Sequence, residues 1–134
     1  MKRRTMPFAA AALIAGFAGL ATTSPLASKP GRNPVPPARE TGPAESCVPL
    51  TQLRDSHIRD DRTIDFMRDR TRGWRVTLPQ DCPGLKSANA FSYQTSLSQL
   101  CSVDVIHVLY QFGSGFQRGA SCGLGKFQPI ELAK

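Results

Sequence analysis

Tryptophan occurs once among the 134 residues, and tyrosine and histidine twice each. No C-x-x-C pair is present, and the GSG at Gly113–Gly115 lacks the G-x-S-x-G frame, so the usual local signatures of a zinc ribbon and a dithiol oxidoreductase are missing, and that turn is no serine-hydrolase elbow. A phosphate-binding glycine loop is also absent. SCGLGK ends in Gly125-Lys126, but Ala120 stands where that loop needs its first glycine and Phe127 where it needs Ser or Thr. Acidic residues are few, 10 against 17 basic ones. No apolar run long enough to cross a bilayer follows residue 21.

The one long apolar run comes first. MKRRT precedes MPFAAAALIAGFAGLA, a basic start and a small-residue-rich apolar stretch ending at Gly19-Leu20-Ala21, the pattern of a secretory signal peptide over residues 1–21. No transmembrane segment is expected once it is cleaved. Residues 22–45 carry Pro25, Pro30, Pro34, Pro36, Pro37 and Pro43 with almost no large apolar side chain. Such a segment buries too little to offset its ordering entropy, which predicts a disordered tether. Residues 46–134 then form one small domain, within the size range that folds alone. Loss of Lys2, Arg3 and Arg4 lowers the formal charge from +7 to about +4. That balance favours loose attraction to anionic surfaces and names no partner.

Cys47, Cys82, Cys101 and Cys122 are an even set in a small exported chain, so two disulfides and a periplasmic or secreted location are expected. Both histidines are remote from the cysteines in sequence, and no metal or cofactor is implied. Three connectivities are possible. VDVIHVLY and QRGAS flank the turn-like GSG, and Cys101 and Cys122 lie nearly symmetric about it. A hairpin there favours Cys101 with Cys122, leaving Cys47 with Cys82.

Within the domain, Thr63–Met67 and Trp74–Leu78 alternate in polarity and predict two strands, with Ile64, Phe66, Trp74, Val76 and Leu78 inward and Asp65, Arg75 and Thr77 outward. A brief strand ends near Asp60, ahead of an Asp60-Asp61 turn. A short helix is expected near Ser96–Leu100, capped by Thr95 or Ser96. Val103–Tyr110 reads as a central strand, and Lys126–Ile130 as a last strand closed off by Pro129. This order predicts an all-β or mainly β fold, a disulfide-stapled five-stranded barrel or half-barrel with at most one short helix.

DDRTIDF, TLP with CPGL, FSYQTSLSQLCSVDVIHVL and RGASCGLGKFQP, with Cys47 and Leu53 ahead of them, resemble a family of short exported proteins of Gram-negative bacteria classed as a domain of unknown function. The resemblance spans most of residues 47–129. It implies export and a compact cysteine-bearing domain, and brings no activity or catalytic residue.

Between Arg54 and Arg75 stand seven arginines and five aspartates. Most fall at turns or outward strand positions, where solvated charges belong. Asp60, Asp61 and Asp65 are poor candidates for a glycosidase carboxylate pair in so small a domain. Cys101 with His107 forms a thiol pair only if the cysteines are not all bridged. No catalytic residue is assigned. The expected function is a non-catalytic binding or structural module whose candidate surface is Arg62, Arg68, Arg70, Arg72 and Arg75, facing an anionic envelope component or an acidic protein. A single-stranded nucleic-acid or other polyanion-binding barrel is the alternative, disfavoured by export and by aromatics that alternate inward.

Overall fold

A computed structural model describes residues 35–95 and 97–134. The signal segment 1–21, residues 22–34 of the expected tether and Ser96 lie outside the described residues.

Ten strands form three antiparallel sheets. They are β1 Ala38–Glu40, β2 Cys47–Pro49, β3 Asp55–Ile58, β4 Thr63–Met67, β5 Arg72–Thr77, β6 Phe91–Tyr93, β7 Gln99–Cys101, β8 Val105–Phe112, β9 Gly115–Gly123 and β10 Phe127–Leu132. The largest sheet has the order β1-β10-β5-β4-β3; β2 pairs with β7, and β6-β8-β9 forms the third. A four-residue helix, α1, spans Leu85–Ala88. The fold is therefore mainly β with one short helix. Its five-stranded sheet is open, and the closed-barrel reading is corrected: β1 and β3 end the sheet as edges rather than pairing with each other.

The alternation in β4 and β5 sets the core. Ile64 stands opposite Val76 and Phe66 opposite Trp74, all four buried. Phe66 meets Phe127 of β10 at 5.7 Å and the edge of Phe91 of β6 at 6.0 Å, within the range of favourable aromatic pairs. Val48, Leu100, Ile106 and Val108 join the same cluster, so one core serves all three sheets.

Several sequence expectations need correction. Residues 38–40 are not tether: β1 pairs with β10, Ala38 opposite Leu132 and Glu40 opposite Ile130. Glu45 exchanges two backbone hydrogen bonds with Phe127, at 2.8 and 2.9 Å. Composition misled because an edge strand gains ladder hydrogen bonds without burying large side chains, and no proline falls between Ala38 and Gly42. The helix expected near Ser96–Leu100 is not formed over its described residues: the Leu97 amide donates to Thr95 Oγ1 at 3.3 Å, and Gln99–Cys101 is strand. β10 also runs through Pro129 to Leu132. The Pro129 carbonyl accepts from the Thr41 amide, so the missing N–H faces the β1 side just where β1 ends, and the ladder to β5 is left intact.

Candidate functional site

The disulfides join Cys47 to Cys101 and Cys82 to Cys122, overturning the expected pairing. The hairpin of β8 and β9 exists, but its register places Cys122 opposite Ile106. Cys101 lies five residues further along, roughly 16 Å at strand rise and well beyond bridging reach. It belongs instead to β7, directly opposite Cys47 of β2 with Cα atoms 4.0 Å apart. All four cysteines are bridged, which removes the thiolate that a Cys101–His107 pair would need. His107 Nδ1 shares a 2.7 Å hydrogen bond with Ser121 Oγ across the hairpin.

Asp65 is the largest departure from the outward pattern. It is fully buried, and its carboxylate accepts from Arg75 Nε at 2.7 Å, Arg75 Nη2 at 2.9 Å and Arg59 Nε at 2.7 Å. The two long arginine side chains lie over the second face of the sheet and shield the carboxylate beneath them. Such a charge is tolerable only because it is fully hydrogen-bonded. Arg75 is thereby committed to holding the sheet together.

Three further aspartates also have hydrogen-bond partners. Asp60 accepts from the Arg62 amide, Asp61 from the Lys86 amide at the start of α1, and Asp104 from the Cys101 amide. Gly125 packs its backbone against β5, where a Cβ would stand 2.3 Å from the Thr77 carbonyl oxygen. Close backbone approach accounts for that glycine without a phosphate loop.

The structure divides the five candidate arginines. Arg62 donates to the Leu78 and Pro79 carbonyls at 2.9 and 3.2 Å, pinning the end of β5. It precedes β4, whereas Arg68 follows it, so the two stand roughly 20 Å apart along the strand. Arg68, Arg70 and Arg72 gather at the β4–β5 turn. There Asp69 accepts the Thr71 and Arg72 amides at 3.0 and 2.8 Å and Arg72 Nε at 2.9 Å. The two amides, Thr71 first, hold the Asp69 pKa down from 3.8 to about 2.

Beside this turn lies a cleft of about 420 Å³ lined by Arg54, Asp55, His57, Met67, Arg68, Asp69 and Arg70. Arg54 was not among the sequence candidates. Its amide donates to the Met67 carbonyl at 2.9 Å, which brings it beside the end of β4 just ahead of Arg68. The signal was present in the sequence: folding at Asp60-Asp61 brings the far ends of β3 and β4 together. Arg54, Arg68 and Arg70 make no side-chain hydrogen bond among the described residues, while both carboxylates in the cleft are engaged, Asp69 as above and Asp55 with His57 Nε2 at 3.2 Å and the Ser56 amide. Arg68 is steadied by its guanidinium carbon lying 5.9 Å from the centre of the buried Trp74 ring.

The aromatics weighed for nucleic-acid stacking do not converge on the arginine cleft. Trp74 and Phe66 are core residues, and Tyr93 lies on β6 rather than beside the arginine cleft. No helix among the described residues is long and apolar enough to cross a membrane. No family model, curated protein or solved structure matches this chain.

Proposed function

We propose that this protein is an exported, non-catalytic binding module that docks on a phosphate-bearing anionic surface of the bacterial envelope through the arginine cleft at the β4–β5 turn. The observation that carries this reading is the gathering of Arg54, Arg68 and Arg70 on one cleft, none of them making a side-chain hydrogen bond among the described residues. Three forked guanidiniums facing one opening are a good match for phosphate oxygens, which accept two parallel N–H bonds from each fork.

Two disulfides fit an oxidising compartment, and the basic, apolar stretch over residues 1–21 supplies the export signal. The resemblance to short exported Gram-negative proteins agrees with that location. The test is co-sedimentation of the disulfide-bonded protein with phosphatidylglycerol vesicles and, separately, with neutral phosphatidylcholine vesicles. Binding to the first alone, weakening as salt rises, is expected; equal binding to both, or to neither, would refute the proposal.

A further inference from the structure

Beyond this reading, one long strand edge is left open among the described residues. In the sheet β6-β8-β9, β9 is terminal and nine residues long. The other edges are short or attended: β1 and β6 have three residues each, and Lys86 Nζ donates to the Ile58 carbonyl of β3 at 3.1 Å. Natural edges of this length are blunted by lysine, proline or a bulge. Residues 115–123 hold no lysine and no proline. A bulge is present, since Ser121 pairs with His107 and Arg118 with Leu109, leaving Gly119 and Ala120 against the single residue Val108. The regular, exposed part of the edge is therefore Gly115–Gly119, sequence GFQRG.

The direction of its backbone groups follows from the hairpin. Gly113, at φ +56°, occupies the first central position of a two-residue turn, the place a type II′ turn reserves for glycine. Phe112 and Gly115 are then the closing hydrogen-bonded pair. By antiparallel alternation, Gly115 and Gln117 turn their N–H and C=O groups toward β8, whereas Phe116 and Arg118 turn theirs outward.

We infer that a second copy of this chain pairs with that edge, antiparallel, about a two-fold axis through Gln117. In this register Phe116 of each copy faces Arg118 of the other, and both positions carry outward hydrogen-bonding groups. The glycines at 115 and 119 face each other at the limits of the ladder, where the turn and the bulge end it. Phe116, 67% exposed, gains a guanidinium over its ring. Moving the register two residues toward the C-terminus sets Arg118 against Arg118, a like-charge pair. Because the patch is self-complementary, the contact closes as a dimer with a six-stranded sheet rather than propagating.

Gln117 is the non-hydrogen-bonded residue on the axis, a position at which paired Cα atoms come within about 4.5 Å, inside disulfide range. The experiment is to follow mass by analytical ultracentrifugation and to map cross-links in Gln117→Cys, with Gln111→Cys, exposed on β8, as the reference. The expected results are a concentration-dependent doubling of mass in the unmodified protein and a 117-to-117 disulfide that Gln111→Cys does not match. Arg118→Pro, which removes only an outward N–H, should restore the monomer, whereas association through a sticky Phe116 alone would survive it. A monomer at every concentration, cross-linking no greater at 117 than at 111, or a dimer unaffected by Arg118→Pro would overturn the inference. None of these outcomes touches the arginine cleft, which lies on a different sheet.

Discussion

Asp65 and Arg75 stand directly opposite each other on β4 and β5, and the guanidinium grips the buried carboxylate through Nε and Nη2. With Arg59, the residue after β3, supplying a third hydrogen bond, one carboxylate ties β4 to β5 and to the end of β3. Replacing Asp65 with Ala leaves two partly buried guanidiniums without their acceptor and should cost about 3 to 5 kcal/mol. Urea denaturation followed by Trp74 fluorescence measures it. A loss below about 1 kcal/mol, the range of an exposed pair, would show that the cluster is solvated after all.

The disulfides span 54 and 40 residues, and chain-entropy arguments give each about 4 kcal/mol. Peptide mapping of the oxidised protein should return Cys47 with Cys101 and Cys82 with Cys122. The Cys82→Ala/Cys122→Ala variant should unfold at markedly lower urea concentration with little change in its five-stranded sheet, since neither residue lies in that sheet. Recovery of a Cys101–Cys122 peptide would contradict the fold as described.

Asp69 supplies a pH dependence with a definite sign. Its folded pKa, about 2, lies below the ordinary aspartate value of 3.8 because the Thr71 and Arg72 amides favour the carboxylate. The unfolded chain therefore binds its proton more readily, and the contribution to stability is complete above about pH 3.8 and is lost as pH falls toward 2. A carboxyl titration by NMR should place Asp69 at the bottom of that window. Asp69→Asn should flatten the acid limb of stability there; an unchanged limb would assign it to other groups.

Trp74 is the single tryptophan, and Arg68 lies over its ring. Phosphatidylglycerol vesicles that engage the Arg68 guanidinium should change Trp74 emission. Arg68→Gln should keep the buried tryptophan spectrum and lose the vesicle-induced change. A response equal in both proteins would place the contact elsewhere.

What the sequence disclosed and what it concealed divide along local and non-local lines. Alternation in Thr63–Met67 and Trp74–Leu78 named the inward side chains correctly because strand period is a local property. The same alternation called Asp65 solvated, and failed because burial there comes from Arg59 and Arg75 folding over the second face, a contact between three strands. β1 was hidden by proline-rich surroundings, although backbone pairing with β10 needs no apolar side chain. The disulfide partners depended on which strand Cys101 joins, and Ser102–Asp104 form a turn that detaches it from β8. At the site, Arg68, Arg70 and Arg72 were legible as a charged turn. Arg54 became part of it only through the β3–β4 register, and Arg62 and Arg75 were removed from it by partners invisible in a linear reading.

In the proposed docking, position rather than total charge directs binding, and a charge-matched comparison separates the two. Two triple variants each lose three positive charges: Arg54→Gln/Arg68→Gln/Arg70→Gln, and Arg39→Gln/Lys126→Gln/Lys134→Gln on exposed sites elsewhere. Co-sedimentation with phosphatidylglycerol vesicles should fall at least tenfold for the first, since each charge near such a surface contributes about 1 kcal/mol locally, and change far less for the second. Equal weakening of both would reduce the effect to net charge and contradict a docking cleft at the β4–β5 turn.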